Sequence, residues 1–399
     1  MESITEKKLA KPRLHFIDMA RSIAILMMIE GHFTGAALAN QYRDDANFFF
    51  GFWHNMHGLT SPLFFSVTGV IFVYLMIGST EVPYFQNIRV KKGYKRILEL
   101  LFWGYMIQLN LWSIGKSLWW GTPINFDWFY AFHVLQSIAF GLTLILLIYG
   151  AFKIIGKLPL HFYYFIAAAI LFVFYSYMKH RITLDESTGA HNYWPAHFPK
   201  IIQNMFYGQY SDFSFVRFSG YTLLGGMVGS IIKTYEVHAK KWWFGLSFIL
   251  VGIALNMFII KILNNADHVL SATHYFGKTY LALDSTSFVR FGQVLVVLGV
   301  LMLVDANVKY KPALFLKLGQ NTLQIYIVHV IILYGGIIGF GLKPLAFDLD
   351  KSPWESIAIS ISAMVAFTIM VKYIEPLRVL YNKIFGKIRI FKDREQSSN

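Results

Sequence analysis

Residues 13–38 read RLHFIDMARSIAILMMIEGHFTGAAL, a stretch that is long and apolar enough to cross a lipid bilayer. It nevertheless contains Asp18, Arg21, Glu30 and His32. A charge at membrane depth is costly and usually marks a pathway, a site or a buried ion pair. Because ten residues separate Arg21 from His32, an α-helix returns them to nearly one face, about 16 Å apart along its axis. Asp18 lies near that face and Glu30 points to a different side, so the pattern predicts a polar stripe of Asp18, Arg21 and His32.

The composition of the whole chain favours a polytopic membrane protein. Of its 399 residues, 56% are hydrophobic and 18% aromatic, and only 15% are charged, whereas soluble proteins contain about 25% charged residues. In a soluble protein the net charge of +14 would suggest a nucleic-acid partner. Here we attribute it to cytoplasmic loops, where lysine and arginine accumulate, and we expect no nucleic-acid partner. The lack of cysteine excludes disulfides, thiolate metal sites and a cysteine acyl carrier.

Hydropathy and the positions of the basic residues predict an all-α bundle of about ten transmembrane helices with both termini in the cytoplasm. We expect one domain over residues 1–399, made of a basic tail (1–13), the helical bundle (14–371) and a second basic tail (372–399). The expected location is the inner or plasma membrane. The expected helices cover residues 13–38, 58–77, 97–114, 129–152, 160–178, 216–232, 243–263, 288–304, 322–342 and 354–371.

The first helix carries a resemblance to a known family. An arginine, ten residues and a histidine in the first membrane helix resemble the signature of the acyltransferase-3 family. The sequence of residues 17–32, IDMARSIAILMMIEGH, is similar to the N-terminal sequence of bacterial relatives of heparan-α-glucosaminide N-acetyltransferase. The resemblance implies that His32 is the general base, that Arg21 helps to hold the acyl donor and that Asp18 pairs with Arg21. Ser22 replaces the glycine that usually follows the arginine, and its small side chain still permits close packing. The simpler explanation, that Arg21 snorkels to the headgroups, leaves His32 unexplained.

A second candidate site lies at the start of the second predicted helix. Residues 52–69 read FWHNMHGLTSPLFFSVTG and resemble a stretch in which the N-acetyltransferase relatives place a catalytic histidine. His54 and His57 are both candidates for that histidine, and the spacing does not choose between them. The alternative is that both side chains line the membrane interface. No metal site is predicted, because the stretch holds no carboxylate beside the two histidines.

Two further stretches carry candidate residues for substrate binding or for structure. HVLQ at residues 133–136 resembles a run of the same relatives, and Gln136 is also suited to hydrogen bonding between helices. LGQNTLQIYIVH at residues 318–329 resembles a stretch near the last helices of both families. It supplies Asn321, a candidate helix cap, and Tyr326 and His329, which share one helix face.

The family resemblance implies an acetyl-CoA-dependent O- or N-acetyltransferase. Acetyl-CoA would act from the cytoplasm as donor of an acetyl or other short acyl group. Its phosphates are expected to meet the basic loop between Arg89 and Arg96, including Lys91 and Lys92, although topology alone also explains these charges. The expected partners are a glycan or other small-molecule acceptor at the outer face, membrane lipids and, if the protein oligomerises, further copies of the chain. The alternative is a transporter or flippase without covalent chemistry, but we find no inverted repeat and no pair of broken helices.

Overall fold

The structure is a computed structural model that describes residues 14–78, 82–123, 129–180, 183–184, 191–192, 197–207, 213–273, 280–347 and 349–385. The α-helices within these residues are α1 (His15–Ala37), α2 (Phe48–His57), α3 (Thr60–Ile77), α4 (Ile88–Met106), α5 (Leu111–Trp120), α6 (Val134–Ile155), α7 (Leu160–His180), α8 (Lys200–Tyr207), α9 (Phe215–Thr234), α10 (Trp242–Ala272), α11 (Ser285–Asn307), α12 (Ala313–Gln320), α13 (Thr322–Tyr334) and α14 (Pro353–Phe385). Short 3-10 helices cover Asn40–Tyr42, Tyr84–Gln86 and Leu281–Asp284, and a π-helical turn covers Lys343–Phe347. Two antiparallel strands, β1 (Thr183–Leu184) and β2 (His191–Asn192), pair with each other.

The predicted all-α membrane bundle is confirmed. In the described part of the chain, seven helices are long and apolar enough to cross a membrane, and α12 with α13, a pair bent by 74°, would make eight. α1 and α4 fall outside this set because their charged residues lower the mean hydropathy. The total of ten spans and the cytoplasmic position of both termini stay predictions. Residues 1–13 and 386–399, which hold much of the two basic tails, lie outside the described residues.

The charged helix α1 lies in the middle of the bundle. It packs against α3, α11, α12, α13 and α14, and its polar side chains Asp18, Ser22 and Thr34 are buried. Neighbouring helices therefore shield this segment from lipid and supply its hydrogen-bond partners, as a charged membrane segment requires.

The basic run between Arg89 and Arg96 is helical, so the prediction of a loop was wrong. The side chain of Asn87 accepts a hydrogen bond from the backbone N–H of Arg89, 2.9 Å away, and caps α4 at its start. The buried positions of α4, which recur every three or four residues, are Val90, Gly93, Ile97, Leu100 and Gly104. Hydropathy alone misses such an amphipathic helix because its apolar stripe is narrow. The predicted outer loop of residues 39–53 likewise contains the first part of α2.

Two predicted spans are interrupted where they meet each other, so the expectation that the chain has no pair of broken helices was wrong. The helix expected over residues 97–114 ends at Met106, and the helix expected over residues 322–342 ends at Tyr334. The backbone N–H groups of Leu111 and Trp112 instead donate to the carbonyl oxygens of Ile337 and Ile338, at 3.0 and 2.9 Å. Irregular backbone at membrane depth is tolerated where it lines a cavity. Both interruptions line one cavity, described below.

Candidate active site

Ser22 fixes the charged half of α1 against α12. Its hydroxyl donates to the carbonyl oxygen of Phe315, 2.5 Å away, and accepts from the backbone N–H of Gly319 at 2.9 Å. A Cβ atom at Gly319 would overlap the carbonyl oxygen of Asp18. The two helices therefore approach with main chain against main chain, and Ser22 adds hydrogen bonds to the close packing that its size permits.

Arg21 joins α1 to the bend between α12 and α13. Its Nη2 donates to Oγ1 of Thr322 at 3.0 Å, and its Nη1 lies 4.0 Å from Oδ1 of Asp18. The Asp18 side chain is 5% exposed and also accepts from Nε2 of Gln320 at 3.4 Å. The Arg21 side chain itself is 20% exposed, so its guanidinium is oriented by neighbours yet still accessible from a cavity.

His32 and His329 form a hydrogen-bonded pair of histidines. Nδ1 of His32 lies 3.0 Å from Nε2 of His329, and Nδ1 of His329 lies 3.3 Å from the carbonyl oxygen of Ile325. A carbonyl oxygen only accepts, so Nδ1 of a neutral His329 is the donor and Nε2 must accept. Nδ1 of His32 then carries the proton, and its Nε2 is left with a lone pair. His329 is completely buried, so the order of donors along the pair is fixed by its surroundings.

The first of two cavities beside α1 contains Arg21 and is called the Arg21 cavity. It has a volume of about 170 Å³ and is lined by Arg21, Arg96, Thr322 and Tyr326, together with apolar side chains of α3, α4 and α6. It combines two guanidinium groups with a largely aliphatic wall. Such a lining suits an anionic group that is joined to an apolar chain.

The second cavity contains His32 and is called the His32 cavity. Its volume is about 520 Å³, and its polar lining includes His32, Gln108, Asn110, His133, Tyr334 and Lys343. The two interruptions contribute residues 107–110 and the glycines Gly335, Gly336 and Gly339 to its wall. Tyr326, which lines the Arg21 cavity, also lines this one. The two ends of the polar stripe on α1 therefore face two cavities that adjoin at a single tyrosine.

A comparison with known protein families gives a match that extends over nearly all of the helices described above. The family described as the acyltransferase domain matches residues 14–373. The chain belongs to the acyltransferase-3 family. It is therefore a membrane acyltransferase, and the first of the two resemblances seen in the sequence is confirmed. No curated protein matches the chain.

In this acyltransferase, the two candidate histidines at the end of α2 have different surroundings. His54 is exposed, and its Nδ1 lies 2.7 Å from Oδ1 of Asp45. His57 packs on Gly31, where a Cβ atom would overlap its ring, and stacks on Trp53 with ring centroids 5.4 Å apart. Neither histidine lines the Arg21 cavity or the His32 cavity among the described residues. His57 nevertheless contacts Gly31, the residue before His32, whereas His54 lies at the surface.

Three of the basic residues that the sequence assigned to coenzyme A lie in the first turns of α4. Arg89, Lys91 and Lys92 are exposed, and none of them lines the Arg21 cavity. Arg96, at the end of the same basic run, is half-buried and does line it. Lys91 and Lys92 face other directions than Arg96. Arg89 shares the face of Arg96 but lies about two turns, roughly 10 Å, nearer the start of α4.

Two of the remaining candidates have structural partners. Nε2 of the fully buried Gln136 donates to Oε1 of Gln108 and so joins α6 to the end of α4. Asn321 lies at the bend between α12 and α13, and its side chain makes no cap hydrogen bond to α13. Its Nδ2 donates instead to the carbonyl oxygen of Lys317 at 2.9 Å, at the end of α12.

Several residues of the His32 cavity were not singled out by the sequence. Gln108 and Asn110 lie in the interruption after α4, and Tyr334 and Lys343 flank the interruption after α13. The only local signals are the helix-breaking residues Asn110, Gly335, Gly336 and Gly339 inside apolar stretches. His133 belongs to the HVLQ motif and lies immediately before α6.

Proposed function

We propose that this acyltransferase moves an acetyl or other short acyl group from cytoplasmic acyl-CoA to a hydroxyl or amine of a glycan or other small acceptor at the outer face of the cell membrane. The observation that supports it is the pair of cavities along α1. Arg21 lines one, His32 lines the other, and Tyr326 lines both. An acyl donor and an acceptor held in these cavities would meet beside Tyr326 and His32.

The lining of the Arg21 cavity supports acyl-CoA as the donor. Guanidinium groups bind phosphate through paired hydrogen bonds, and Arg21 and Arg96 both line this cavity. The apolar wall suits the chain that carries the thioester. The basic residues of α4 and of residues 1–13 favour the cytoplasm for this end of the bundle, which is where acyl-CoA is expected.

The lining of the His32 cavity supports a polar acceptor. Amide and imidazole groups of Gln108, Asn110 and His133 offer donors and acceptors for hydroxyl groups. The cavity is about 520 Å³, against about 170 Å³ for the Arg21 cavity, and so has room for a sugar-sized group.

His32 is the general base of the proposed reaction. Its Nε2 takes the proton of the acceptor O–H or N–H while the acceptor oxygen or nitrogen attacks the thioester carbonyl carbon. The new C–O or C–N bond forms, the C–S bond breaks, and the leaving thiolate takes the proton from His32. His32 is preferred to His54 and His57 because it alone of the three lines a cavity that reaches the Arg21 cavity.

The test uses purified full-length protein reconstituted in liposomes that contain glycan acceptors, with labelled acetyl-CoA added on one side. We expect label in the acceptor fraction with wild type and a loss of about a hundredfold or more in His32→Ala, as for removal of a general base. His238→Ala is the matched control, because His238 lies at the turn between α9 and α10 and lines neither cavity.

Unchanged transfer in His32→Ala would reject His32 as the base, and loss in His57→Ala alone would move that role to His57. A wild-type protein that carries the glycan across the membrane without incorporating label would favour the flippase alternative. The proposed direction of transfer would be rejected if the acceptor became labelled only when acetyl-CoA was added on the side of the membrane opposite to the basic end of α4.

A further inference from the structure

A third cavity lies on the opposite side of α1 and contains Glu30. It is bounded by the end of α1, by α2 with the segment before it, and by the start of α14, and its volume is about 360 Å³. It shares no lining residue with the Arg21 cavity or the His32 cavity. We call it the Glu30 cavity, and the proposed acyl transfer does not use it.

Glu30 is held at this cavity by neutral donors. Its Oε1 accepts from Nε1 of Trp53 at 2.8 Å and from Oγ1 of Thr34 at 3.0 Å. Its Oε2 receives no hydrogen bond from the described residues, and no lysine or arginine among them forms an ion pair with Glu30. Among the same residues, the titratable group that interacts with Glu30 is His57, which does not line the cavity. A carboxylate at membrane depth needs a compensating charge or a functional reason. One oxygen of Glu30 is therefore oriented by its neighbours, and the other can accept a hydrogen bond from a ligand in the cavity.

The rest of the lining favours an organic cation. Asp44 adds a second carboxylate, and within the described residues no lysine, arginine or histidine lines the cavity. The aromatic rings of Tyr42, Phe50 and Trp53 line it as well. Aromatic faces and carboxylates together recognise alkylammonium groups. A small inorganic cation is disfavoured, because no group of three or more His, Cys, Asp or Glu side chains that could hold a metal ion lies among the described residues.

We propose that the Glu30 cavity binds an organic ammonium group, whose charge is met by Glu30 and whose carbon substituents pack on Tyr42, Phe50 and Trp53. The same chemistry is offered by a soluble amine and by an ethanolamine or choline headgroup of a lipid. The cavity lies at the end of α1 that the basic loops predict to face outward, where either source is available.

The test measures binding to the purified full-length protein and needs no acyl donor. Choline is titrated against 3,3-dimethyl-1-butanol, a neutral molecule of the same shape. Native mass spectrometry compares phosphatidylethanolamine with phosphatidylglycerol of identical acyl chains. We expect at least one of the two ammonium compounds to bind about tenfold more tightly than its uncharged or anionic counterpart, and Glu30→Gln to remove most of that preference.

Asp45→Asn is the matched control. Asp45 is an exposed carboxylate one residue from Asp44, contacts His54 and does not line the cavity. Asp44→Asn and Tyr42→Leu, both at exposed positions, keep the test informative if Glu30→Gln does not fold.

Preference for choline alone identifies a soluble amine as the source, and preference for phosphatidylethanolamine alone identifies a lipid headgroup. Equal binding of charged and uncharged molecules, or a preference that survives Glu30→Gln in folded protein, overturns the proposal. Because no acyl transfer is measured, either result leaves the proposed acyltransferase reaction untouched.

Discussion

Nδ1 of His32 donates to Nε2 of His329, 3.0 Å away, and His329 in turn donates to the main chain of α13 through the carbonyl oxygen of Ile325. This order leaves Nε2 of His32 as the nitrogen that can take a proton. The partner of a histidine commonly fixes its tautomer in this way. His329 is therefore a positioning residue for the proposed base.

Replacing His329 is expected to lower kcat more than it changes KM. His329→Ala removes the acceptor for Nδ1 of His32, so both tautomers of His32 become available. We expect a fall in kcat of about 10- to 100-fold, as for other residues that orient a functional histidine, with little change in the KM for acetyl-CoA. Steady-state transfer assays measure both. His329→Gln, which keeps an acceptor, should recover part of the loss, and a raised KM at unchanged kcat would contradict the positioning role.

Arg96 is expected to contribute to donor binding more than the exposed lysines of α4. A hydrogen bond to a charged group is worth about 1.5–3 kcal/mol, so Arg96→Ala should weaken coenzyme A binding by about tenfold or more. Lys91→Ala should have a smaller effect, because Lys91 is exposed and does not line the Arg21 cavity. Titration of both variants with coenzyme A decides between them. Equal losses of affinity in the two variants would restore the sequence-based prediction that the exposed basic residues of α4 bind the phosphates of coenzyme A.

Tyr326 is expected to keep water from the donor thioester. It lines both cavities and is 5% exposed, so a smaller side chain should join the cavities into one. In Tyr326→Leu we expect the ratio of acetyl-CoA hydrolysis to acyl transfer to rise several-fold. Tyr326→Phe keeps the ring and is the control. The two products are measured as free acetate and labelled acceptor, and equal ratios in both variants would remove Tyr326 from this role.

The contact between α1 and α12 is expected to limit stability. Gly319→Ala would place a Cβ atom against the main chain of Asp18, and such overpacking typically costs about 1–3 kcal/mol. The melting temperature in detergent should fall. Gly115→Ala in α5 is the control, since nothing lies within 4 Å of its would-be Cβ atom, and it should leave the melting temperature equal or higher. An unchanged melting temperature in Gly319→Ala would show that the two helices can separate without cost.

The sequence predicted the polar stripe well because a single helix determines it. The periodicity of α1 alone places Arg21 and His32 on one face and Glu30 on another, and they line three different cavities in the structure. The pairing of His32 with His329 depends on how α1 packs against α13, which periodicity does not contain. The motif at residues 318–329 identified His329 but not its partner.

The sequence missed what depends on contacts between distant segments. Apolar residues continue through Ile107 and through Ile337 and Ile338, so hydropathy predicts uninterrupted spans there. α13 ends at Gly335, which adopts a left-handed conformation with a φ of 77°. The segments beyond the two helix ends then bond to each other, and neither segment alone reveals its partner. The helical conformation of the basic run in α4 was missed for a simpler reason. Its many charged residues lower the hydropathy, and the buried side of the helix is narrow.

The paired interruptions have a consequence for how this protein can change over evolutionary time. Two segments that contribute to the wall of the His32 cavity are joined to each other by main-chain hydrogen bonds between Leu111 and Ile337 and between Trp112 and Ile338. Main-chain hydrogen bonds survive most replacements of the side chains that border them. Substitutions at Lys343 can therefore alter which molecule fits without breaking this main-chain link, so a lineage can acquire a new acceptor while α1 stays unaltered.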